Sequence, residues 1–145
     1  MSAEENAREF RRIPEEMMNS GNLGLIDELF APTYVEHARI PPGMPTGREG
    51  LHAYFAMIVA AFPDLHATVD QILAEGDLTA GHITVQGTHQ GDFMGIPPTG
   101  TQVTWTETHL GRYEHGKLAE HRGDVDGIAI LQQLGVLPED GPPAD

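Results

Sequence analysis

Apolar residues recur at helical spacing through the first third of the chain and at every second position through most of the remainder. Phe10, Ile13 and Met17 lie on one face of a helix predicted from about Ala3 to Asn19, and Pro14 inside it predicts a kink or break. Gly21 and Asn22 end that segment. A short helix comes next, with Asn22 as N-cap, Ile26, Leu29 and Phe30 on its buried side, and Pro32 closing it. The prolines and glycines of Ile40 to Gly47 (IPPGMPTG) predict an irregular loop. Thr46 and Glu49 then have capping-box spacing, ahead of a helix carrying Leu51, Tyr54, Phe55, Ile58, Val59 and Phe62 on one stripe and stopped at Pro63-Asp64. From Leu65 the period becomes two, with strands predicted at 65–75, 78–90, 101–113 and 117–125. Gly76-Asp77, the loop Gly91 to Gly100, and His115-Gly116 separate them. A last helix, Ile128 to Leu134, ends at Gly135, and Pro138 to Asp145 reads as a flexible acidic tail. Helices first and a meander afterwards predict an α+β fold, its helices packed on one face of a curved antiparallel sheet, in a single domain over 1–137.

Composition narrows the function. A chain of 145 residues, 39% of them hydrophobic, can bury a core as one domain. It has no cysteine, so thiolate metal sites, disulfides and cysteine nucleophiles are excluded. Twenty-two acidic residues against eight basic ones give a net charge of −14, which repels nucleic acid and anionic membranes alike. Met1 to Glu9 is charged and lacks the apolar stretch of a signal peptide, and the apolar run Ala56 to Phe62 falls far short of a membrane span. The expectation is a cytoplasmic protein whose partner is a small, apolar molecule.

Several stretches then resemble a known family in its own order: PTYVEH (32–37), FPDL (62–65), AEGD (74–77), GTHQGDFMGIPPTG (87–100), HGKLAEHR (115–122) and LQQLG (131–135). The chain resembles the SnoaL-like polyketide cyclases of the nuclear transport factor two-like superfamily. That resemblance implies a cone-shaped sheet enclosing a pocket (an α+β barrel), a homodimer, a polyketide-like substrate, and intramolecular aldol ring closure with no metal or organic cofactor. It also implies a pair of catalytic groups: an aspartate on the last strand that removes an acidic proton, and an assisting histidine on the strand before.

His109 in WTETHLGRY falls at the histidine's place. Without the family it reads as an ordinary solvent-facing strand histidine. However, Trp105, Glu107 and His109 share one strand face, with Thr104, Thr106, Thr108 and Leu110 on the other, and the first set suits a mixed pocket lining. The aspartate's place is taken by Gly123, which cannot transfer a proton. Two readings are open. Either a bulge at Gly123 swings Asp124 inward as the replacement base, or Asp124 faces solvent and the family base is lost. Hairpin register bears on the choice: a two-residue turn at His115-Gly116 sets His109 opposite Arg122, whereas a three-residue turn sets it opposite Gly123, with His121 and Val125 on its face.

Other candidates carry two readings each. His37, at the mouth of the proline loop, is a pocket residue or a surface turn. Tyr54 and Met18 face the pocket by resemblance and are also ordinary core residues at helical spacing. His89 suits a structural role at a strand end, and Asp126 suits an N-cap better than catalysis. No histidine pair has zinc-site spacing and no P-loop is present, so neither a metal nor a bound phosphate is expected. Asp124 and His109 are thus the candidate catalytic pair, with His37, Trp105, Glu107, Tyr54, Met18, Arg122 and His121 as candidate binding residues. Two rival functions stay open: an epoxide hydrolase of the limonene type, using the R-x-D pair Arg122 and Asp124 with Glu107 or Asp126, and a non-catalytic small-molecule carrier.

Overall fold

In a computed structural model that describes residues 1–140, helix α1 (Ala3–Arg12) opens on a capping box, Ser2 and Glu5 each bonding the other's backbone N–H. Pro14 neither ends the helix nor leaves a simple kink. It has no N–H to give Phe10, so the chain widens into a π-turn over Ile13–Met18, and Asn19 N–H reaches back five residues to the Pro14 carbonyl at 3.1 Å. A 3₁₀ turn (Leu23–Leu25), started by Asn22, leads into α2 (Ile26–Leu29).

Pro32 does not close that helix onto a loop. Phe30 passes directly into strand β1 (Phe30–Glu36), which the hydrophobic pattern does not predict. β1 runs parallel to the strand from Lys117–Val125, with Val35 beside Glu120 and Glu36 beside His121, and its register shifts between Phe30 and Val35. An edge strand with an irregular ladder tolerates a proline, and that combination hides it from the sequence. Helix α3 (Gly47–Ala61) has Thr46 at its N-cap, but the threonine side chain makes no capping bond.

The predicted strands come next as β2 (His66–Glu75), β3 (Leu78–Thr88), β4 (Gln102–Glu114) and β5 (Lys117–Val125), and α4 (Gly127–Gln133) starts on Asp126, whose carboxylate accepts from Ala129 N–H. The order β1-β5-β4-β3-β2 leaves two edges, so the curved sheet stays open and does not close into a barrel, and its β1–β5 pair is parallel. The helices cover its concave face. Ala67, Ile83, Val85, Val103, Trp105 and Leu118 meet Phe10, Met17, Met18, Ile58 and Phe62 there. Gly81 is needed for this closure, because a Cβ on it would run into the Phe10 ring. The convex face carries Thr104, Thr106, Thr108 and Leu110, as alternation requires. Of the tail expected from Pro138, residues 141–145 lie outside the described residues; Pro138 and Glu139 carbonyls accept from the Gln132 amide. Among the described residues no helix is long and apolar enough to cross a membrane.

Candidate active site

The β4–β5 hairpin decides what meets in the cavity. Its turn is the two-residue one, His115 and Gly116 at φ 50° and 78°, with Glu114 opposite Lys117. Such a turn alone sets His109 opposite Arg122. Instead Arg112 pairs with Glu120 and Tyr113 with Leu118, so Ala119 is an extra residue, and this bulge moves everything beyond it by one place. His109 therefore faces Gly123, and His121 and Val125 share its face. The bulge expected at Gly123 lies four residues earlier. Through Gly123 the ladder is regular, and Asp124 pairs with Thr108 on the other face.

On the concave side four acid–base groups from three strands form one hydrogen-bonded line. His121 Nδ1 contacts the Glu36 carboxylate at 2.7 and 2.9 Å. Its Nε2 meets His109 Nδ1 at 2.8 Å, and His109 Nε2 meets Glu107 Oε1 at 2.9 Å. Each end is held. Tyr34 O–H donates to Glu36 Oε2 at 2.5 Å and Ala38 N–H to Oε1 at 2.8 Å, while Trp105 Nε1–H donates to Glu107 Oε2 at 2.7 Å. The four side chains are 11–19% exposed, so solvent competes weakly for these bonds. The line depends on Gly123. A Cβ there would lie 2.6 Å from His109 Nδ1 and 2.7–2.8 Å from the His121 ring, so no other residue lets the imidazoles meet.

Burial works to raise the Glu36 carboxyl, but the bonds from His121, Tyr34 and Ala38 outweigh it and hold the group below the usual carboxylate range. Burial, reinforced by Glu36, pushes the Tyr34 phenol up. Burial also raises Tyr54, with the fields of Glu107 and Glu36 adding to it, so this phenol keeps its proton. The line forms one wall of a cavity of about 860 Å³, within the size range of small-molecule sites. Phe10, Met18, Tyr54, Ile58 and Phe93 form much of the rest, and the proline loop (Ile40–Gly47) and Met94 border it. The four groups are joined pairwise along a line, and among the described residues no three His, Asp or Glu side chains gather as metal ligands would.

The profile of the SnoaL-like polyketide cyclase family matches residues 8–134. The chain belongs to that family. It is 29% identical over 119 residues to the nogalonic acid methyl ester cyclase of Streptomyces nogalater, covering 81% of this chain and 88% of that one. Among solved structures it resembles IdmH of Streptomyces antibioticus, a candidate polyketide cyclase, with TM-score 0.78, 37% identity, and 90% and 99% of the two chains covered. It also resembles AclR of Streptomyces galilaeus, a candidate hydroxylase, with TM-score 0.84, 31% identity, and 95% and 85% covered.

In this SnoaL-like chain the cavity brings together His109, Glu107, Trp105, His121, Tyr54 and Met18. Asp124 borders the same cavity but is not part of the hydrogen-bonded line. It is exposed, lies beside Gly123 and Val125, and bonds to neither histidine, because without a bulge at Gly123 its side chain shares Thr108's face. Arg122 pairs with Leu110 on the convex face, so the Arg122–Asp124 pair of the hydrolase reading is not in the cavity. His37 comes directly after Glu36 and so points the other way, towards Glu120 (3.7 Å) and a convex-side groove with Arg112 and Arg122. His89 is fully buried and ties the 91–100 loop to β3 through Thr99. Sequence reasoning missed Glu36 and Tyr34. Their two-residue spacing would have marked them as one strand face had β1 been recognised.

Proposed function

We propose that the protein is a cofactor-independent polyketide cyclase that closes a ring by intramolecular aldol addition, with Glu107 and His109 as its acid–base pair. The observation that carries this reading is the 2.9 Å Glu107–His109 contact on a hydrogen-bonded wall of a largely apolar cavity. A carbon between two carbonyls gives up its proton readily. Glu107 takes that proton, and its bond to His109 spreads the charge change over both groups. The resulting enolate needs a donor at its oxygen, and the protonated Tyr54 phenol on α3 supplies one. The enolate carbon then attacks a second carbonyl of the same molecule, and the alkoxide formed takes a proton back from the pair. One C–H bond and the π bond of the attacked carbonyl break, one C–C and one O–H bond form, and the product is an isomer of the substrate. The cavity's apolar lining folds the chain so that the two carbons meet.

The reading is supported by the kinship with a nogalonic acid methyl ester cyclase. The test is incubation of the purified protein with that methyl ester, followed by mass spectrometry and NMR of the product. A ring-closed product of unchanged mass is expected. Tight binding with no conversion would overturn the enzymatic reading in favour of a carrier.

A further inference from the structure

Ring closure by Glu107 and His109 leaves Glu36 and His121 without a role, yet their contacts fix how many protons the set holds. Glu36–His121, His121–His109 and His109–Glu107 are three contacts at 2.7, 2.8 and 2.9 Å between nitrogen or oxygen atoms. Each must hold one proton. With none, two lone pairs face each other, and with two, the hydrogens collide. The flanking donors, Tyr34 O–H, Ala38 N–H and Trp105 N–H, are already spent on the carboxylates. Two neutral imidazoles bring two N–H protons, so the third is carried as an imidazolium or as a carboxylic acid. Two carboxylates, two imidazoles and one added proton leave the set with a net charge of −1, whichever group holds the proton.

Building on the acid–base reading of Glu107 and His109, we infer that Glu36 and His121 are positioning residues of a four-group proton wire with one shared proton. They hold His109 by its Nδ1 and turn its Nε2 to Glu107. When Glu107 takes a proton from carbon, the shared proton shifts along the wire towards Glu36, so no single group carries the whole charge change. When the alkoxide is protonated, the shift reverses, and the wire ends the cycle with the protons it began with. Gly123 is the place this design depends on. Where the family's resemblance calls for a catalytic aspartate, this chain leaves a space that the two imidazoles fill. The wire is faced by Tyr34 from β1, Trp105 from β4 and Tyr54 from α3, none of which changes charge near neutral pH, since burial raises both phenols.

Two measurements on the full chain test this. In the first, the ring nitrogens of His109 and His121 are tracked by NMR through a pH titration without substrate. A shared proton makes both rings respond together with one midpoint. Independent midpoints would overturn the wire. The second compares wild type with Glu36→Gln, which keeps the shape and removes the charge. The kcat is expected to fall roughly 10²-fold, the low end of general acid–base contributions, at little change in KM. The midpoint of the pH profile is expected to move to lower pH, because losing a neighbouring negative charge makes the shared proton easier to release. An unmoved midpoint would reduce Glu36 to a structural group and overturn the inference. Should the wild type close no ring, the NMR titration still reads the wire, and it is the cyclase reading alone that fails.

Discussion

Gly123→Ala is the smallest change that separates the two imidazoles. The added Cβ would stand 2.6 Å from His109 Nδ1 and 2.7–2.8 Å from His121, where ordinary contact begins at 3.4 Å, so one or both rings must retreat by about 0.8 Å (3.4 less 2.6). The 2.8 Å bond between them has no slack for that movement, and it breaks. Overpacking costs about 1–3 kcal/mol, and leaving a shielded polar contact unmade adds about 1–3 kcal/mol. The alanine also restricts the unfolded chain, which gives back about 0.4–1 kcal/mol because Gly123 is not at positive φ. A net destabilisation of about 1–5.6 kcal/mol remains. Urea denaturation reads it as a lower midpoint at unchanged m value. Gly127→Ala is the control: its Cβ meets nothing within 4 Å, so it should stabilise by about 0.4–1 kcal/mol. A Gly123→Ala variant as stable as that control, with the two histidines still titrating together, would refute the packing argument.

Asp124→Asn should leave both ring closure and stability close to wild type, since the carboxylate is exposed on Thr108's face; a large loss of kcat in a steady-state assay would return it to the site. Acid should weaken the fold partly through Glu36. Its carboxyl lies below its usual value, so its stabilisation is complete above the unfolded-state pKa and is lost as pH falls through the lower folded one. Thermal melts between pH 7 and 3 should therefore show a shallower loss for Glu36→Gln than for wild type. Glu120, lowered by its bond to Arg112 at 2.7 Å, has the same sign, but its exposed pairing should fade in high salt.

The helices, the meander and the cavity-facing stripe of Trp105, Glu107 and His109 were legible because each rests on local periodicity. The site's remaining half was not. Pro32 masks β1, and with it Tyr34 and Glu36, because a proline argues against a strand unless the strand lies at an edge, and edge position is a property of the assembled sheet. The bulge has the same character. Gly123 is the residue that sequence logic selects for it, yet the extra residue is Ala119, a buried alanine with no distinguishing chemistry. That single offset sets Arg122 opposite Leu110 and Asp124 opposite Thr108, out of line with His109, and brings His121 into the cavity. The pairing of His109 with Gly123, which the sequence reading ties to a three-residue turn, is reached instead by a two-residue turn and the bulge together.

The most direct test is the rate of ring closure by Glu107→Gln on a substrate that the wild type converts. The amide keeps an oxygen for Trp105 N–H but cannot take a proton from carbon, so kcat should fall by about 10²- to 10⁴-fold while substrate binding persists. Conversion at the wild-type rate would mean that neither this carboxylate nor the line of groups behind it performs the proton transfer.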